Sequence, residues 1–308
     1  MTLTELRYII ALARERHFGR AADACHVSQP TLSQAIKKLE EELDVKLFER
    51  GGTEVTATPL GEEIVGQARR VMEEAGAIKE IARRGKDPLA GPLRLGVIYT
   101  IGPYLLPALV KRCIEDVPQM PLILQENFTA RLLEMLRTGE IDCAILADPF
   151  PDTGLARAEL YDEPFVVALP ATHPLAASES ISSTQLKQET LLLLGTGHCF
   201  RDQVLEVCPE YARFAPDAEG LRKSFEGSSL ETIKHMVAAG MGLTVLPALA
   251  VPTSPQDHLR FLPMTEPVPT RRIVLVWRRS FTRYEAIAAL RNVIFNCGLQ
   301  GVAWVGNS

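Results

Sequence analysis

Residues 18–61 read FGRAADACHVSQPTLSQAIKKLEEELDVKLFERGGTEVTATPLG, and the fold of the N-terminal region turns on them. Ser28 is a good N-cap and Pro30 falls in the first turn after it, so a helix opens there. Leu32, Ala35, Ile36, Leu39 and Leu43 recur at helical spacing on one face, while Gln29, Thr31, Ser33, Gln34, Lys37 and Lys38 occupy the other. Upstream, residues 20–25 read as a short helix. The Phe18-Gly19 pair breaks it from a first helix that opens at a Thr2-x-x-Glu5 capping box, carries Leu6, Ile9, Ile10 and Ala13, and runs to about Arg16. Two helices joined by a tight turn, the second with a polar N-terminal half, form a helix-turn-helix layout, which lays its second helix in the major groove of DNA. Gln, Thr and Ser at such positions pair with base edges, and Lys37, Lys38 and Arg50 are placed to reach phosphates. A small helical bundle with an ordinary solvated face fits the same pattern, and the pattern by itself leaves both readings open.

The rest of the chain sets the context. At 308 residues it exceeds the usual single-domain range of ~100 to 200, so more than one core is expected. With 46% hydrophobic and 23% charged residues it is neither disordered nor fibrous. No apolar run approaches the ~18 to 20 residues of a membrane span, and Glu5, Arg7 and Arg14 interrupt the N-terminus too early for a signal peptide. The expectation is therefore a cytoplasmic protein without a membrane partner, whose six cysteines (Cys25, Cys113, Cys143, Cys199, Cys208, Cys297) are thiols unless redox chemistry uses them. The net charge of −5 excludes a chain coated in nucleic acid, and 8 basic against 9 acidic residues in 1–58 means that any DNA contact comes from a sorted face.

Thr58-Pro59 opens a further helix, in which Leu60, Ile64, Ala68, Val71, Ala75, Ile78 and Ala82 recur at steps of 4, 4, 3, 4, 3 and 4. A seam of about 36 Å with a period near 3.5 has too little neighbouring chain to bury it and suggests a two-helix dimer contact; a core helix of one domain is the alternative. Gly85 to Pro92 reads as a hinge. From Leu93 strands and helices alternate: LRLGVI, a helix over 102–116, LILQE, a helix over 130–138 and DCAIL. PFVVAL, TLLLL, a helix over 230–239, GLTVLP, RRIVLVW and a helix over 283–295 follow. This order implies an α/β unit with a doubly wound, mainly parallel sheet, whose ligand crevice lies at the carboxyl ends of the strands. Thr100 and Thr129 fall there.

Residues 195–210, GTGHCFRDQVLEVCPE, carry the one chemical signal. Phe200, Val204 and Val207 at i, i+4 and i+7 predict a helix starting near His198 or Cys199. Unpaired N–H groups at a helix start, with His198 and Arg201 adjacent, favour a thiolate, which makes Cys199 a candidate nucleophile. Cys208 lies nine residues on, or ~13.5 Å along a continuous helix, against the ~4.4 to 6.8 Å between Cα atoms that a disulfide needs. Bonding the two sulfurs would require the segment to refold. Two ordinary apolar cysteines are the plainer reading. A zinc site on His198, Cys199 and Cys208 would lack a fourth ligand, so neither a metal nor a cofactor is expected. The other four cysteines read as buried spectators.

The stretch 18–61 resembles the signature of the LysR-type transcriptional regulators in Ala21-Ala22, in the run Ser28-Gln29-Pro30-Thr31-Leu32-Ser33, in Leu39-Glu40-Glu41-Glu42-Leu43 and in Leu47-Phe48-Glu49-Arg50. It departs from it at Asp44, where the family usually has Gly. The resemblance implies a winged helix-turn-helix over 1–58 with its wing at 50–58, a linker helix and hinge over 59–87, and a periplasmic-binding-protein-like regulatory domain over 88–308. That domain would comprise subdomain I at about 92–162 and 267–302 and subdomain II at about 163–266. It further implies DNA contacts from Gln29, Pro30, Thr31, Ser33, Gln34, Lys37, Lys38 and Arg50. The run from His198 to Gln203, followed by Cys208, is similar to the redox loop of the family's peroxide sensors. By that likeness Cys199 is oxidised by hydrogen peroxide and Cys208 resolves it as a disulfide, with Thr100, Thr129 and His198 helping to hold the peroxide and Arg271 (or its neighbour Arg272) polarising it or supporting the reactive loop. The same likeness implies promoter DNA and RNA polymerase as partners, a homodimer or homotetramer, and a reductant of the glutaredoxin or thioredoxin type. A metabolite-responsive regulator of the same family and a thiol peroxidase are the competing functions.

Overall fold

The computed structural model describes residues 1–49, 55–84, 87–151, 154–209, 226–227, 229–254 and 256–305, with the side chains of 77, 79–84 and 226 excepted. The chain forms two compact units, Met1–Lys86 and Asp87–Ser308.

The first unit contains α1 (Leu3–Glu15), α2 (Phe18–Ala24), α3 (Gln29–Leu43), the paired strands β1 (Phe48–Glu49) and β2 (Thr56–Ala57), and α4 (Pro59–Arg84). The Thr2/Glu5 capping box forms as its residues require: the Glu5 N–H donates to the Thr2 hydroxyl, and the Thr2 N–H to the Glu5 carboxylate at 2.7 Å. Phe18 and Gly19 do not break α2 but begin it. The His17 ring nitrogen Nδ1 accepts from the Gly19 and Arg20 N–H groups, so a histidine cap moves the helix start two residues upstream. Ser28 caps α3, and Asp44 ends it at φ 53°, the left-handed conformation usually left to Gly.

Leu12, Ala21, Leu32, Ile36, Leu39 and Leu47 make the core of this unit, and Val65 and Ala68 of α4 are buried in it. The expected bare seam on α4 therefore needs correcting. Ile64, Ala68 and Val71 pack into their own domain, since α4 lies along α1, whereas Leu60 and Ile78 remain exposed and Ala82 lies outside the described side chains. Of the expected hinge from Gly85 to Pro92, residues 85 and 86 likewise lie outside the described residues.

The second unit runs β3 (Leu93–Ile98), α5 (Gly102–Asp116), β4 (Leu122–Asn127), α6 (Thr129–Thr138), β5 (Cys143–Asp148) and β6 (Ala156–Pro170). It continues through α7 (Ser183–Leu186), β7 (Leu193–Leu194), α8 (Cys199–Val207), β8 (Glu226–Gly227), α9 (Leu230–Ala238) and β9 (Thr244–Pro247). It closes with β10 (Leu259–Pro263), β11 (Thr270–Trp277), α10 (Tyr284–Phe295) and β12 (Ala303–Trp304). The main sheet is ordered β10-β6-β11-β5-β3-β4, with β9 and β12 also pairing along β6. Only part of it is parallel: β3 with β4 and with β5. All pairings of β6 and β11 are antiparallel, so the sheet is mixed and not mainly parallel.

The cause is β6, one long strand that serves two cores. Leu160 and Tyr161 belong to the core of β3, β5, β11, α5, α6 and α10, while Phe165, Val167 and Leu169 belong to the core of α8, α9 and β9. Between these two sets, on the same strand, sits the fully buried Glu163.

Candidate functional site

Three helix entrances of the second unit converge on one pocket. Ile98, Tyr99 and Thr100 come from the end of β3, Asn127, Phe128 and Thr129 from the turn into α6, and Gly197, His198 and Cys199 from the start of α8. The pocket is a cavity of about 10 Å³, about what one water needs. Its wall is prepared for a small polar guest. The Thr129 hydroxyl is buried and has no hydrogen-bond partner, which costs about 1–3 kcal/mol unless a guest supplies one. The Thr100 hydroxyl accepts from Arg271 Nη1 at 2.8 Å, which leaves its own proton for a guest.

Arg271 stands behind that wall and does not line the pocket. Its Nη2 donates to the Thr100 carbonyl at 3.0 Å, its Nε to Glu163 Oε2 at 2.9 Å, and its guanidinium lies 5.0 Å from the centroid of the Phe200 ring. Glu163 is fixed in turn by the Leu249 N–H at 2.8 Å. This buried pair thus ties together the Thr100 turn, the junction strand β6 and, through Phe200, helix α8. Arg272, the neighbour that sequence could not separate from Arg271, alternates to the opposite face of β11. There it grips Asp162 and Glu159, and its hydrogen bonds hold the Asp162 carboxyl below the usual carboxylate range.

Cys199 is the first residue of α8, where unsatisfied backbone N–H groups favour negative charge. It is half-buried and packs against the β3/α5 core, whereas Cys208 ends the same helix, is fully buried and belongs to the other core beside Phe200 and Val204. No disulfide joins them in this structure. Burial pushes the Cys113 and Cys297 thiols up to about 11 and raises those of Cys25 and Cys143 as well, and none of the four lines the pocket. Among the described residues, no three His, Cys, Asp or Glu side chains cluster as a metal site would need.

In the first unit Gln29, Pro30, Thr31, Gln34, Lys37 and Lys38 are exposed on α3 and Ser33 is half-buried. The Ser28 and Thr31 hydroxyls bond each other at 2.7 Å, and Lys37 lies 3.6 Å from Glu41. Arg50 and most of the wing lie outside the described residues. One residue that sequence reading passed over holds the wing's root. Glu40 is buried, and its carboxylate accepts from the Leu47 and Phe48 N–H groups at 2.8 and 3.3 Å. Its place in the Leu39-Glu40-Glu41-Glu42-Leu43 run was visible, but the fold was needed to show that it faces inward. Tyr99, Phe128, Gly197 and Glu163 were also missed, although Tyr99 and Phe128 directly precede the two threonines.

Residues 3–62 match the bacterial regulatory helix-turn-helix protein, lysR family, and residues 86–296 match the LysR substrate binding domain. The chain belongs to the LysR family. It is 43% identical over 292 residues to the DNA-binding transcriptional dual regulator OxyR of Escherichia coli strain K12, covering 94% of each chain. A full-length OxyR variant from Pseudomonas aeruginosa, with Asp in place of a cysteine, is similar at 51% identity and a TM-score of 0.77, over 97% of this chain and 99% of that one. A hydrogen-peroxide-bound cysteine-to-serine variant of OxyR from Corynebacterium glutamicum is similar at 34% identity and a TM-score of 0.64, over 96% and 92%.

Proposed function

We propose that this LysR-family chain is a DNA-binding transcriptional regulator that senses hydrogen peroxide through Cys199 and is switched by a reversible Cys199–Cys208 disulfide. The observation that carries this reading is the position of Cys199, the first residue of α8, in a pocket that it shares with the Thr100 and Thr129 hydroxyls and His198. The Cys199 thiolate attacks one peroxide oxygen. An S–O bond forms as the O–O bond breaks, and the departing hydroxide takes a proton and leaves as water. Thr100, backed by Arg271, and the unpartnered Thr129 hydroxyl are the donors available to the developing negative oxygen. Cys208 then displaces water from the sulfenic acid.

Because α8 holds the two residues nine positions apart in different cores, the second step requires α8 to come apart and Cys208 to leave its packing. A small oxidation thus becomes a large conformational signal.

The partners follow from the same reading. The exposed polar face of α3 takes promoter DNA, through Gln29, Pro30, Thr31, Ser33, Gln34, Lys37 and Lys38, with Arg50 reaching a phosphate. The chain pairs as a homodimer through α4 and as a homotetramer through its regulatory units, and contacts RNA polymerase at genes of peroxide defence. A thiol reductant of the glutaredoxin or thioredoxin type resets it. The domain limits are those of the helix-turn-helix at 1–58, the linker at 59–87 and the regulatory domain at 88–308. Among the described residues no helix is long and apolar enough to cross a membrane, and we place the protein in the cytoplasm. It consumes peroxide once per switching event and is not an enzyme.

Footprinting of reduced and peroxide-treated protein tests the proposal. The wild type should change its protected bases on oxidation and Cys199→Ser should not; an unchanged wild-type footprint, or a changed one in Cys199→Ser, defeats the reading.

A further inference from the structure

We propose that Tyr99 and Phe128 form an aromatic rim that sets the size limit of the oxidant, admitting hydrogen peroxide and excluding alkyl hydroperoxides. The inference rests on Cys199 being the peroxide-reactive residue and adds what decides which peroxide reaches it.

Three rings, one from each helix entrance, meet at the pocket, two of the pairs edge-on. Phe128 stands 4.8 Å from His198 at 70°, Tyr99 stands 5.2 Å from Phe128 at 77°, and Tyr99 lies 5.9 Å from His198. His198 is buried, whereas Tyr99 and Phe128 are 39% and 37% exposed, so these two are the rings with a face to solvent. They are also held. The Phe128 N–H donates to Asn127 Oδ1 at 2.9 Å, and its carbonyl accepts from Leu132 at the start of α6. On the far side Gly197, at φ +97°, brings its backbone so close that a Cβ there would lie 3.3 Å from the ring. Gly197, His198 and Tyr99 thus flank Phe128, and its remaining side faces solvent.

The chemistry at sulfur does not itself discriminate. With any hydroperoxide ROOH the thiolate takes the terminal OH oxygen, the O–O bond breaks, and RO⁻ leaves and is protonated to ROH. What differs is R, which has to sit beyond the leaving oxygen. A cavity of about 10 Å³ has no space for a tertiary butyl or cumyl group, which would have to lie against the Tyr99 and Phe128 rings, whereas R = H adds no heavy atom beyond the leaving oxygen. Selectivity therefore lies in the two rings and not in the reactive groups.

The test uses the full-length reduced protein in a Cys208→Ser background, with a sulfenic-acid trap reporting Cys199 oxidation by hydrogen peroxide, tert-butyl hydroperoxide and cumene hydroperoxide. The variants are Phe128→Ala and Tyr99→Ala, and DNA binding of each reduced protein checks that it is folded. In the wild type hydrogen peroxide should be the fastest oxidant by far. Phe128→Ala should raise the rate ratio of alkyl hydroperoxide to hydrogen peroxide ~10-fold or more, and Tyr99→Ala should raise it in the same direction. A wild type that reacts as fast with cumene hydroperoxide, or a ratio unmoved in both variants, overturns the rim. A wild-type Cys199 that reacts with none of the three oxidants overturns the peroxide reading and the rim with it, and it is distinguishable because no ratio can then be formed.

Discussion

Thr129 carries a cost that the fold does not require of it. A buried hydroxyl without a partner destabilises the folded chain, and the same group gains a hydrogen bond when a guest enters the pocket. Replacing it by the isosteric valine separates the two effects. Thr129→Val should leave the melting temperature unchanged or slightly raised while slowing Cys199 oxidation by hydrogen peroxide ~10-fold, equivalent to about 1.4 kcal/mol or one hydrogen bond. Stopped-flow oxidation beside a thermal melt measures both, and a lower melting temperature with an undiminished rate would show that the hydroxyl serves packing alone. At this scale sequence was informative about residues of marked chemistry. Thr100, Thr129, His198 and Cys199 were all expected near one another, by motif and by likeness, and they line one pocket. It was uninformative where the choice depended on which face a side chain takes. Arg271 and Arg272 differ by one step of a strand, and only pairing with β6 and β5 decides which of them turns inward to Thr100. Glu163 and Phe128 have no motif at all, and their roles come from chain segments distant in sequence.

Helix α8 was readable in advance because its apolar spacing and its start near His198 or Cys199 are local properties; which core each cysteine enters is not. Oxidation should therefore be visible along the whole element. Backbone amides of 200–208, which include the Cys208 N–H bonded to the Val204 carbonyl at 2.9 Å, should lose hydrogen-exchange protection in the disulfide form, while those of β3 and β5 keep theirs. Retained protection across α8 in an oxidised sample would mean that the sulfurs do not join within one chain. Helix α3 invites a different experiment, because its exposed residues divide by chemistry. Lys37→Ala should weaken DNA binding on all sequences alike and reduce the salt slope by ~1, whereas Gln34→Ala should relax preference at individual bases. Competition binding on specific and scrambled duplexes at several salt concentrations separates the two, and identical profiles for both variants would count against the orientation of α3 in the groove.

For the whole molecule, two units and their order were apparent from the change of periodicity near Leu93, since helical and strand patterns are both local. The mixed sheet was not apparent, because β6 and β11 are brought together by antiparallel pairing across more than a hundred residues. The same limit affected the assembly prediction. Read as a string, Leu60 to Ala82 is one uninterrupted seam; in the fold, Ile64, Ala68 and Val71 pack into the core of their own unit, and among the described side chains further along α4 Ile78, at 69% exposure, is left bare. An Asp at Val71 would disturb the core of its own domain as much as any partner, so its effect on assembly could not be interpreted. Ile78→Asp removes that ambiguity. Ile78 is not part of the described core, so the variant's melting temperature should stay near that of the wild type. A charge set into an apolar helix–helix contact should cost about 2 kcal/mol or more and weaken self-association ~30-fold. Sedimentation equilibrium reads the association and calorimetry the stability. Since a dimer engages two half-sites at once, affinity for a two-site promoter should fall with the loss of dimer, while affinity for a single half-site should not. Unchanged sedimentation of the folded variant would place the dimer contact elsewhere than on α4.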